Sequence, residues 1–446
     1  MPPSSCVAVS SVVRVLLLLD LVDTKRYSTH KSRVRVHGTM AWFLRNFGFK
    51  ETNYRETKSK FRVTKNSSNE LLLTSIPTGE DYLIGSFEFP TLGVLRARLA
   101  AVPDVSTDTQ SSSSNPILLT FTNIGGDARS LHLDPNNAGS VFQVASQFNC
   151  LEMVGPGVRP EDGITNYAHD KTQGPVCAMA CPAGTVFRNY FVNGTGQGGG
   201  SEAQLDGTSD IAILCENKRH KYWEMKNGYM LPTRHGAMGE IGERLKSEDF
   251  HAAFLSKLKV GVHWKTETEK RNTSSSNKCH HVCQVFSSAC PVAYTNKTCR
   301  RSEWTEFACA ILEGTFEATL AVGAILAKSE QRRVRVYLTC VGAGAFGNAT
   351  MWVEQAIARA LCLFQACPLD VVLVHYGTRP ANPRNKFIAL EKKWPQQKGT
   401  KKRKQGETKD GSNSMHSSSS SYEVGGSDED VDFVAAVVAS VFTSKK

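Results

Sequence analysis

VRVYLTCVGAGAFGNATMWVEQAIARALCLF (residues 334–364) reads as a strand, a glycine-rich turn and a helix. The run 334–341 is short, apolar and β-branched, as expected of a strand covered on both faces. Gly342, Gly344 and Gly347 punctuate the turn, and Trp352, Ala356, Ile357, Ala360, Leu361 and Phe364 then recur at helical spacing. LDVVLVHYG (369–377) follows as another buried strand. Strand, loop, helix, strand is a βαβ unit. Such units build parallel sheets that take ligands at the C-terminal ends of their strands.

Glycine permits positive φ and lets backbone N–H groups come close to an anion. The helix that follows adds the positive end of its dipole. Gly342 and Gly344 form a G-x-G, but Ala345, Phe346 and Gly347 break the dinucleotide fingerprint, and no Lys-Ser/Thr pair follows as in a Walker loop. Phe346, at the tip, is suited to stack on a base or pack on a sugar. Two readings stay open: a phosphate cradle, or a plain tight turn with Phe346 capping the core. A second strand and loop, NPILLTFTNIGGDARS (115–130), carries an apolar run at 117–122, then Asn123, Gly125, Gly126 and Asp127.

Taken with HHVCQVFSSACPVAYT (280–295) and the helical text EFACAILEGTFEATLAVGAIL (306–326), the 334–364 unit resembles the second half of a macrodomain. The G-A-F-G loop at 344–347 is most similar to the poly(ADP-ribose) glycohydrolase-like branch. The resemblance covers 116–378 in outline and is specific only in the two loops. It implies a three-layer α/β/α body with a mixed sheet. It also implies ADP-ribose or ADP-ribosylated protein as partner. Asn123, Gly125, Gly126 and Asp127 would form one loop of the site, and Gly342, Gly344, Phe346 and Gly347 the other. No cofactor and no metal are expected. The glycohydrolase branch carries three successive glycines and then Gln-Glu-Glu, whereas this chain has two glycines and Asp127. The nearest counterpart is QFNCLE (147–152), with Glu152 as candidate general acid and Asn149 orienting the ribose. The paired acids are missing, so binding of ADP-ribose or a related nucleotide diphosphate is the expected function. ADP-ribosyl hydrolysis through Glu152 is its extension.

Other constellations are weaker. Gln173 to Pro175 is suited to a lid across the ligand or to a packing loop. Cys279, His281 and Cys283 lie on one strand and lack a fourth zinc ligand nearby. The thirteen cysteines are odd in number and scattered, a pattern of reduced thiols in an intracellular compartment, cytoplasmic or nuclear.

The net charge of +11 suits a nucleic-acid binder until it is located. Residues 379–409 hold eleven Lys or Arg against two Glu, and residues 1–39 hold six against two Asp, which leaves −2 for the rest. The rival function is therefore a nucleic-acid or chromatin adaptor acting through the basic tail alone, with KKRK (401–404) a candidate nuclear signal. No apolar run reaches the roughly 18–20 residues of a membrane span, and no membrane partner is expected. The expected organisation is a leader or upstream extension at 1–39, a small α/β unit at 40–103 and a Ser-rich linker at 104–115. The macrodomain-like body with a central insert follows at 116–385, then a disordered tail at 386–428 and a short helix at 429–444.

Overall fold

The computed structural model describes residues 41–102, 118–269, 279–295, 297–382 and 385–394. The leader, the Ser-rich linker, the tail beyond residue 394 and the expected helix at 429–444 lie outside them. Among the described residues twelve strands form: β1 (Phe61–Lys65), β2 (Leu71–Ser75), β3 (Glu80–Leu83), β4 (Ser86–Glu88), β5 (Thr120–Gly126), β6 (Val141–Ala145), β7 (Trp223–Lys226), β8 (Tyr229–Pro232), β9 (Gly261–Glu267), β10 (His281–Ser287), β11 (Val334–Thr339) and β12 (Leu369–Tyr376).

Seven of them make the main sheet, in the order β4-β9-β10-β6-β11-β12-β5. The five from β10 to β5 run parallel, and β9 and β4 close one edge antiparallel. The apolar runs seen in the sequence divide between its two faces with the strand period of two. Val334, Val336 and Leu338 of β11 and Leu369, Val371 and Leu373 of β12 share one core with the helices Arg301–Ser329 and Thr350–Leu363. Tyr337, Val372 and Val374 point the other way, onto Phe142 and Cys181. On that second face lie the helices Ala128–His132, Gln173–Ala180 and Pro182–Tyr190. The result is a three-layer α/β/α body around a mixed sheet.

The helix Arg301–Ser329 is long and apolar enough, by length and composition, to cross a membrane, which a scan for unbroken apolar runs does not register. Here 83% of its most apolar window is buried inside the protein, so it is the core helix of the main layer.

Two boundaries differ from expectation. Residues 42–102 of the expected N-terminal unit pack into the main body. Phe43, Phe47, Phe61 and Tyr82 join Leu151, Tyr167, Met179 and Val186 in one apolar cluster. β4 pairs with β9 in the main sheet, and Arg96, on the helix Leu92–Ala101, holds Glu317 of the core helix with two hydrogen bonds. The tail also begins later than composition implies. Residues Lys386–Lys392 form a helix that buries Phe387, Ile388 and Leu390.

Candidate functional site

Five parallel strands place the residues that follow β5, β6, β10, β11 and β12 at one end of the sheet. Chain order brings β6 between β10 and β11, so the connections on its two sides diverge, and crevices form at such points. The ladder between β6 and β11 covers only Val141–Val336 and Phe142–Tyr337. Beyond it the side chain of Gln173 takes the place of a strand. Its Nε2 donates to Gln143 O at 2.7 Å, and its Oε1 accepts from Ala145 N at 2.7 Å. Gln143 reaches across the same gap, its Oε1 accepting from Thr339 N at 3.2 Å. Gln173 thus plugs the crevice between strands rather than spanning a ligand as a lid.

The turn after β11 borders this gap. Gly342 (φ 85°) and Gly347 (φ 71°) occupy the left-handed region, where a side chain costs strain. Asn348 locks the turn: its N–H donates to Gly342 O at 2.9 Å and its Nδ2 to Cys290 O at 2.8 Å. Phe346 O accepts from Ala293 N at 2.9 Å, which ties the turn to the loop after β10. Among the described residues no acceptor takes up the N–H groups of Gly344, Ala345 and Phe346. Gly344 and Ala345 are exposed, and no other heavy atom lies within 4 Å of where a Cβ on Gly344 would stand. The 14-residue helix Thr350–Leu363 starts just beyond, with no side chain capping its first turn. Consecutive open N–H groups and a bare helix N-terminus together favour an anion.

Phe346 packs on the edge of the main core. It is half-buried at the rim, its ring centroid 5.6 Å from Tyr229 and 5.6 Å from Tyr294. Tyr294 is 41% exposed, while Tyr229 is buried below, its hydroxyl donating to Met153 O at 2.7 Å. Sequence reasoning missed both tyrosines as site residues. Tyr294 lies in the stretch 280–295, and Tyr229 carries no motif of its own. The signal available was only that Tyr294 follows a strand end.

The other expected loop is structural. Asn123, Gly125 and Gly126 lie inside β5, paired with Leu373, His375 and Tyr376, because β12 runs on and carries the ladder past the apolar run. Asn123 is buried. Its Oδ1 contacts His375 Nε2 at 2.8 Å, and its Nδ2 donates to Phe387 O at 2.9 Å and Glu391 Oε2 at 2.8 Å. Gly125 admits the next loop: a Cβ there would sit 2.3 Å from Arg379 N. Asp127 caps the short helix Ala128–His132, accepting from Ser130 N at 2.7 Å. These residues stand two strands, roughly 10 Å, from β11; Asn123 spends its side chain on the protein, while Asp127 is exposed.

Glu152 and Asn149 are enclosed as well. Asn149 is fully buried, its Nδ2 donating to Gln204 Oε1 at 2.9 Å and its Oδ1 accepting from Leu151 N at 3.1 Å. Glu152 is 2% exposed and faces Arg188 Nη2 at 3.5 Å, an ion-pair distance too long for a well-formed hydrogen bond. A general acid must reach the leaving oxygen, and this carboxyl group is buried. Burial pushes its pKa up to about 7, against the opposing pull of Arg188. That value lies above the ordinary 4.5, so the folded state holds the proton more tightly than the unfolded chain. The contribution of Glu152 to stability is therefore full below about pH 4.5 and is lost as pH rises through about 7. Urea unfolding should show wild-type stability, relative to Glu152→Gln, falling across that window. A difference that stays flat with pH would overturn this assignment.

Solved structures similar to the chain are poly(ADP-ribose) glycohydrolases. One, from Deinococcus radiodurans in complex with ADP-ribose, is 10% identical, with 69% of this chain and 93% of that one covered and a TM-score of 0.35. Another, from Thermomonospora curvata, is 11% identical, with 74% and 93% covered and a TM-score of 0.32. The Thermomonospora curvata enzyme bound to the inhibitor ADP-HPD is 11% identical, with 74% and 92% covered and a TM-score of 0.31. No family model and no curated protein sequence matches.

Proposed function

We propose that the chain binds ADP-ribose or a related nucleotide diphosphate at the turn after β11. The observation that carries this reading is the row of N–H groups at Gly344, Ala345 and Phe346, open to an anion beside the N-terminus of the helix Thr350–Leu363. Backbone donors in such a turn match phosphate oxygens without a lysine. Phe346, backed by Tyr229 and Tyr294, offers a flat apolar wall for a sugar or base. Hydrolysis through Glu152 is not part of the proposal, because its carboxyl group is enclosed.

Calorimetric titration of the full chain with ADP-ribose should be saturable, and a flat titration would sink the proposal. Phe346→Ala is expected to weaken binding by about tenfold, through loss of roughly 1–1.5 kcal/mol of ring contact. Unchanged affinity in that variant would remove the ligand from this turn. The rival adaptor function rests on residues 398–409, which lie outside the described residues.

A further inference from the structure

We propose that Arg301 clamps the ligand's diphosphate from the side, supplying a charge contact that the backbone of the turn lacks. This rests on the diphosphate reading above. Arg301 opens the helix Arg301–Ser329 and is exposed. Its Nη2 donates to Gly347 O at 3.0 Å, and its guanidinium lies 5.7 Å from the ring centroid of Trp352. One hydrogen bond and one ring contact therefore hold the cation against the turn that bears the open N–H groups. Most guanidinium N–H donors stay available, in a planar fork that fits phosphate.

No carboxylate neutralises it among the described residues, and the same is true of Lys297 and Arg300 just before it. The nearest acid along the helix, Glu303, is turned away. It accepts from Gly236 N at 2.7 Å and from Arg300 N at 3.4 Å, and it lies 3.9 Å from His235. An uncompensated, positioned guanidinium beside an anion-shaped turn is a binding element. Its use on Gly347 O alone would leave the charge without a purpose at that place.

The test is titration of the full chain with ADP-ribose at about 50 mM and about 300 mM salt, for wild type, Arg301→Gln and Arg301→Lys. Wild type is expected to weaken about threefold to fivefold between the two salts. Arg301→Gln is expected to bind about tenfold more weakly at low salt, with little further dependence on salt. Arg301→Lys, which keeps the charge but not the fork, should fall between. Wild-type affinity in Arg301→Gln overturns the clamp, and so does a loss that keeps the wild-type salt dependence, since that is the mark of a merely structural bond to Gly347. Thermal melting of each variant checks that it folds. A flat wild-type titration is a different failure: it removes the diphosphate reading and the clamp with it.

Discussion

Arg188→Ala is expected to destabilise the protein by about 3–5 kcal/mol, because it leaves a buried carboxylate without its counter-charge. Arg188 and Glu152 both have fully buried side chains. The guanidinium also donates to Cys150 O at 3.0 Å and Thr185 Oγ1 at 3.3 Å, and it lies 3.7 Å over the ring of Phe286. Its removal therefore opens a cavity, strands a carbonyl and frees the loop after β6 from the helix Pro182–Tyr190. The loss should be smaller near pH 5, where Glu152 takes a proton, than near pH 8. Removing both charges, with Arg188→Met and Glu152→Gln together, should cost less than Arg188→Ala alone. Urea unfolding of the three variants decides the matter. A loss below about 1 kcal/mol for Arg188→Ala would mean the pair is not buried as described.

Gly174→Ala should be nearly as severe and should also reach the binding turn. A Cβ at this position would stand 2.0 Å from Ala145 O and 3.1 Å from Glu152 Cγ. The obstacle at 2.0 Å is backbone, so only movement of the helix Gln173–Ala180 away from β6 relieves it. That movement pulls the Gln173 amide from between β6 and β11, where it satisfies Gln143 O and Ala145 N. Overpacking of this kind costs about 1–3 kcal/mol, and two broken hydrogen bonds put the expectation at the upper end. Thermal melting should show the loss, and ADP-ribose affinity should fall with it. A variant as stable as wild type would show that the helix does not press on the strand end.

Much of the layout was legible in the chain. The 334–364 segment holds its own strand, turn and helix, since apolar spacing, glycine and helix periodicity are all local signals. β12 and the core helix were legible for the same reason. The extension of β5 through Asn123 and Gly125 was not legible, because an apolar run marks only the buried part of a strand. β5 extends to Gly126 through pairing with β12, some 250 residues away, and no local pattern records that partner. The burial of Glu152 was illegible for a similar reason: spacing from a glycine pair tells nothing about which way a side chain turns. The helix at Lys386–Lys392 was hidden by its basic surroundings, although Phe387, Ile388 and Leu390 are the residues it buries.

The linear chain was enough to establish an α/β body, a βαβ unit and a glycine turn after its first strand, with the excess charge towards the two ends of the chain. These follow from periodicity and composition, which each segment carries alone. Tertiary contacts settled which of the two glycine segments stays open. Asn123 is engaged by β12 and the helix Lys386–Lys392, while among the described residues the N–H groups of Gly344, Ala345 and Phe346 meet no acceptor. They also turned Glu152 inward to Arg188 and brought Tyr294 and Arg301 to the rim. Whether a polar group meets solvent, a ligand or another part of the protein depends on neighbours distant in sequence, and only packing supplies them.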